Sequence, residues 1–98
     1  MFINIIDSYR YVVAICDKEL IGKKFEQDNL QLDIKESFYK GEEKTKQETI
    51  SFMQNMSKED STFNIIGEKS VNCALQAEII SKNGIKKIKN IPFALVLL

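Results

Sequence analysis

The chain has 98 residues, of which 44% are apolar and 29% charged, the balance of one folded domain rather than a disordered chain or a two-core protein. Fourteen basic residues match fourteen acidic ones, so no net field steers the molecule toward nucleic acid or an anionic membrane. With no histidine and two cysteines far apart, Cys16 and Cys73, the sequence excludes Ser-His-Asp and Cys-His catalysis and zinc sites of the Cys2His2 type.

Phe2–Ile6 and Tyr9–Cys16 are apolar, β-branched runs separated by the turn formers Asp7 and Ser8, which predicts an amino-terminal β-hairpin. The second run shows little polar alternation, so it is expected to be a central strand covered on both faces. Residues 17–22 break the pattern with charges and Gly22, as a turn or a single helical turn would, and Phe25 re-enters the core. Leu30, Leu32 and Ile34 alternate with Gln31, Asp33 and Lys35, the signature of a half-exposed strand with the three apolar residues inward. Residues 36–41 carry two adjacent aromatics that fit neither period and read as a loop with anchored rings.

Thr45 and Glu48 stand at capping-box spacing, so a helix is expected from Lys46 to Ser57, with Ile50, Phe52, Met53 and Met56 toward the core. Phe63–Ile66 is a brief apolar approach to Gly67. Beyond it Val71, Ala74, Leu75 and Ile79 recur at helical spacing, and Asn83–Gly84 offers a left-handed residue to end that second helix. Ile85–Lys89 and Phe93–Leu98 read as closing strands, the last wholly apolar and so expected to be buried. The whole predicts a single domain over 1–98 of the α/β class (α+β type). Its small, mixed or mainly antiparallel sheet begins with the hairpin and carries two principal helices. Nothing resembles a signal peptide, and no apolar run approaches the length of a membrane span, so a reducing cytoplasm and no membrane are expected.

Candidate chemistry is sparse. Neither GxxxxGK[ST] nor GxGxxG occurs, and the adjacent acids Asp17/Glu19, Glu42/Glu43 and Glu59/Asp60 read as solvated charge. Cys16 and Cys73 stand in apolar surroundings and read as core residues. No catalytic residue, cofactor or metal is expected, and an enzyme is the less favoured reading. Two segments remain as binding candidates. Ser37, Phe38, Tyr39, Lys40 and Gly41 could stack on a base or a peptide side chain, although their rings serve equally to pin a loop to the core. Asn64, Gly67, Glu68 and Lys69 surround a helix start whose unpaired N–H groups suit an anion, although Glu68 would repel one. Residues 1–60 hold nine bases and twelve acids, whereas 61–98 hold five lysines and two acids, with Lys82, Lys86, Lys87 and Lys89 close together.

Residues 17–23 with Phe25, the block Glu36-Ser37-Phe38-Tyr39-Lys40-Gly41, the block Asn64-Ile65-Ile66-Gly67-Glu68-Lys69 with Val71 and Ala74, and Ile91–Ala94 together resemble a family of short archaeal proteins, domain of unknown function 424. The resemblance spans nearly the whole chain and implies an archaeal cytoplasmic protein with a compact α/β fold. It carries over no catalytic residue. The polar, lysine-rich stretch 42–61 departs from the family pattern. Three functional expectations follow: a non-enzymatic binding module for RNA or a ribonucleoprotein, by analogy with translation-associated proteins; a small enzyme or anion-ligand protein with one site between 36–41 and 64–69; or a protein-interaction domain or homodimer.

Overall fold

The computed structural model describes residues 1–97. The expected hairpin is present as β1 (Phe2–Asp7) and β2 (Tyr11–Cys16), antiparallel, with Phe2 opposite Cys16 and Asp7 opposite Tyr11. Leu20 closes a single 3-10 turn, Lys18–Leu20. Next come β3 (Lys24–Gln27) and β4 (Leu30–Asp33), a separate two-stranded hairpin, then one turn of helix, α1 (Glu36–Tyr39), and a two-residue strand, β5 (Glu42–Glu43). Helix α2 (Lys46–Met56) leads into β6 (Ser61–Ile66), followed by α3 (Glu68–Gln76) and the strands β7 (Lys86–Ile88) and β8 (Ile91–Leu97). The main sheet runs in the order β5-β1-β2-β6-β8-β7. Among the described residues only β2 and β6 pair in parallel, Val13 beside Phe63 and Cys16 beside Ile66, which requires the long crossover through residues 17–60.

Side chains alternate across a strand, so β2 sends Val13 and Ile15 to one face and Ala14 and Cys16 to the other. All four are fully buried, as the unbroken apolar run anticipates. On the first face α2 and α3 supply Met53, Val71, Cys73 and Ala74, with Ala77 just beyond α3, against Ile3, Val13, Ile15, Phe63 and Ile65. Each large side chain wholly buried there contributes about 1.5–3 kcal/mol relative to exposure. The second face is covered at one end, where Leu20, Leu32, Ile34 and Tyr39 pack on Ala14, Cys16, Ile66 and Ile88. Helix α2 starts as expected: the Glu48 N–H donates to the Thr45 hydroxyl at 3.2 Å, and the Thr45 N–H donates to the Glu48 carboxylate at 2.9 Å. The Thr45 N–H first, and the Thr45 side chain with it, hold the Glu48 carboxyl below its ordinary range.

Several expectations are corrected. Residues 36–41 are not wholly loop, because 36–39 close one helical turn, although the rings are anchored as expected. The apolar approach at 63–66 is the end of a full central strand. The second helix stops at Gln76 rather than near Asn83–Gly84. The Glu78 N–H donates to the Leu75 carbonyl and the Ile79 N–H to the Ala74 carbonyl, a Schellman closure with Glu78 left-handed at φ 62°. Asn83 and Gly84 lie in a separate 3-10 turn. Leu30 points outward at 58% exposure, since the hairpin tip it borders extends beyond the core. The carboxyl-terminal strand is only half buried: Ala94 is enclosed, whereas Leu95 and Leu97 are exposed. Its expected last residue, Leu98, lies outside the described residues. No described helix is long and apolar enough to cross a membrane.

Candidate functional site

β2 and β6 end side by side, so Asp17 and Gly67 emerge together at one end of the parallel pair. Gly67 begins α3 with φ 110°, a conformation that side chains rarely adopt, and a Cβ there would lie 2.6 Å from both Asp17 carboxylate oxygens. That close approach lets Asp17 fill the start of the helix. Its carboxylate accepts the Ser70 N–H at 2.8 Å, the Ser70 hydroxyl at 2.7 Å and the Lys69 N–H at 3.0 Å, and it is almost fully buried. The anion suited to this helix terminus is therefore part of the chain itself.

Outside this cap, Glu68, Lys69, Asn72 and Asn90 line a cleft of about 420 Å³ with Glu19 and Pro92. Lys69 Nζ lies 3.6 Å from the Glu19 carboxylate, and both groups are largely exposed. The Glu19 backbone N–H, with Lys69 adding to it, holds the Glu19 carboxyl below its ordinary range. A neutralised lysine and a carboxylate at the mouth leave the cleft without an excess of positive charge for a phosphate.

The aromatic segment lies elsewhere. Tyr39 is buried in the second-face core, its ring edge-on to Phe38 with centroids 4.9 Å apart, and burial pushes its phenol up to about 12. Phe38 is half-buried, and its carbonyl accepts from the Asn4 side-chain amide at 2.7 Å. Ser37 and Lys40 are exposed. Gly41 passes against β1 so closely that a Cβ would overlap the Ile3 carbonyl and sit 2.9 Å from Asn4 Cα. Gly41 borders a different cleft of about 580 Å³, with Ile3, Ile5, Lys44 and Phe52. The two candidate segments thus border separate clefts, Gly41 one and Glu68 and Lys69 the other. Asn64 belongs to neither, standing half-buried in the middle of β6.

Asn64 belongs to a surface that sequence reasoning missed. The register places Asn4, Ala14, Asn64 and Leu95 in one row across β1, β2, β6 and β8, and Ile6, Val12, Thr62 and Leu97 in the next, all on the second face. The hairpin and α1 cover the opposite end of that face. Ile6, Val12, Leu95 and Leu97 belong to neither core cluster. Leu95 and Leu97 are 62% and 73% exposed. The only available signal was the lack of polar alternation in β8, which a strand covered on both sides shares. Asp17 was equally hidden, because its partners lie more than fifty residues away. Burial pushes the Cys16 thiol up to about 12, and raises Cys73 too, as expected of unreactive core cysteines.

Fold and site together define a small α+β protein built on a mainly antiparallel sheet, with α2 and α3 on one face and the other face half open. The chain belongs to the family described as Protein of unknown function (DUF424), whose model matches residues 6–98. A crystal structure of an uncharacterized conserved protein from Methanopyrus kandleri is similar over 98% of this chain and 90% of that one, with a TM-score of 0.85 and 20% identity, which supports the fold. No curated protein matches the sequence.

Proposed function

We propose that the protein is a non-enzymatic binding module whose working surface is the uncovered half of the sheet, and that its partner is a protein. The observation that carries this is the exposure of Leu95 and Leu97 on the same sheet face as the half-buried Ile6 and Val12. Large apolar side chains left exposed on one face mark an interaction site more often than a solvated one. Its chemistry is methyl groups, the amide of Asn64 and the hydroxyl of Thr62, with neither cation nor ring. RNA recognition relies on cations for phosphates and on rings for bases, and the ring best placed by sequence, Tyr39, is buried.

Exposed Lys82, Lys86, Lys87 and Lys89 favour a second reading, an RNA or ribonucleoprotein contact along β7. Lysines on an edge strand have a sufficient role in blocking unwanted strand pairing. Capture from the cells of origin separates the readings. The protein reading expects a partner that survives nuclease, is lost with the Val12→Lys/Leu97→Lys variant and is retained when the four lysines become glutamine. Loss of the partner on nuclease treatment, or in the glutamine variant alone, refutes the protein reading and supports RNA.

A further inference from the structure

The outer edge of the main sheet is stepped. Strand β7 pairs only with Ile91–Phe93, so along that edge Ala94–Leu97 of β8 has no strand partner among the described residues. The Pro92 carbonyl accepts the Gly67 N–H at 2.8 Å and so points toward β6. Successive residues of a strand point their backbone groups to alternate sides. Ala94 and Val96 therefore face β6, whereas Leu95 and Leu97 turn their N–H and C=O groups outward. The two parts of this edge differ sharply. The part that β7 forms carries exposed Lys86 and Lys87, the usual protection of an edge strand. The open part reads Ala-Leu-Val-Leu and carries no charge or proline.

The geometry points to a second copy of this chain as the occupant of that edge, paired antiparallel through β8 about a two-fold axis at Val96. The inference names a partner for the apolar surface and so rests on the protein-binding reading. An antiparallel segment is its own complement under a two-fold axis. With Val96 opposite its copy, the Leu95 N–H donates to the Leu97 carbonyl of the second copy and the Leu97 N–H of that copy donates back to the Leu95 carbonyl. The axis repeats the pair. The exposed side chains of Leu95 and Leu97 then stand beside those of the other copy on the same uncovered face, as directly opposed cross-strand neighbours do. The register also suits the step, because β7 pairs with residues 91–93 and not with Leu95 or Leu97. The two six-stranded sheets become one continuous sheet. Zero net charge puts no overall repulsion between the copies. A contact this short gives a concentration-dependent association rather than an obligate dimer.

The test is sedimentation equilibrium of the whole chain from about 1 µM to 1 mM, the range such small interfaces require. Wild type is expected to pass from monomer to dimer. Leu95→Pro removes the outward N–H together with the leucine side chain, a change that an edge position tolerates, and should weaken dimerisation at least about 30-fold through the backbone bonds lost on both sides of the axis. Ile6→Lys, on the same face but three strands away, should leave it unchanged. As a check independent of folding defects, the wild-type Leu95 and Leu97 amides should exchange more slowly as concentration rises. A wild type monomeric throughout, with those amides exchanging fast at every concentration, overturns the pairing while leaving the face available to another protein. A dimer dissolved by Ile6→Lys overturns it and shows association through the face instead, and a dimer untouched by Leu95→Pro overturns it as well.

Discussion

Replacing Asp17 with alanine removes the acceptor for three hydrogen bonds at the start of α3. Ser70 is fully buried, so its N–H and hydroxyl lose their partner where water does not readily replace it. Each such orphaned donor costs about 1–3 kcal/mol. The Lys69 N–H lies nearer solvent and loses less. Releasing a buried carboxylate from its desolvation offsets part of the loss, so the net destabilisation is about 3 kcal/mol by these magnitudes. That is a large share of the ~5–15 kcal/mol typical of a domain. Ser70→Ala alone should cost about 1 kcal/mol, and should cost little once Asp17 is gone, because the two mutations remove the same bond. Urea unfolding followed by circular dichroism reads all three variants. Sulfate supplies a second measurement: in Asp17→Ala the vacated helix start should bind it, so added sulfate should raise the melting temperature by more than it does in wild type. A loss below about 1 kcal/mol, where an orphaned buried donor costs at least that much, together with equal sulfate effects, would refute Asp17 as the internal anion of α3.

Gly41→Ala forces a methyl into the β1 backbone at Ile3 and should destabilise by about 2 kcal/mol or more, with faster amide exchange in β5; an unchanged midpoint would show that β5 shifts freely. Glu78→Gly relieves a left-handed glutamate and should stabilise the protein by about 0.5–1 kcal/mol, against no change if the Schellman turn is not held in solution. Cys16 should resist a thiol reagent at pH 8 until the protein unfolds, and rapid labelling of the native state would contradict its burial. Its folded value, about 12, lies above the ordinary 9.0, so both states keep the proton below pH 9. Between those values only the unfolded chain releases it, and stability falls as pH rises. Tyr39, raised from 10.0 to about 12, steepens the same decline, and Cys16→Ala should make it shallower.

What was legible in the sequence was what local chemistry specifies. The hairpin, the Thr45–Glu48 capping box and the burial of Val13–Cys16 follow from residue period and from bonds within one turn. The end of α3 was not legible, because a glutamate occupies the left-handed position where glycine would have signalled the stop. The Asp17 cap depends on a parallel pairing that brings together residues distant in sequence. The candidate segments 36–41 and 64–69 looked alike as loop-and-glycine signals. Their glycines do related work in different places, Gly41 admitting β5 to the edge of β1 and Gly67 admitting the Asp17 carboxylate to α3. The open half of the sheet escaped notice because an apolar strand reads the same whether its own chain covers it or a partner does.

The central claim is that the uncovered part of the sheet, Leu95 and the row Ile6, Val12, Thr62 and Leu97, is where this protein meets another protein. A photoactivatable cross-linking residue at Thr62, between Val12 and Leu97 in the second row, tests it directly when compared with the same residue at Lys87 on β7. Irradiation in the cells of origin should join position 62 to a protein, in an adduct that survives nuclease, and should give no such adduct at position 87. Cross-linking confined to position 87, or an adduct at 62 that nuclease removes, would contradict the account.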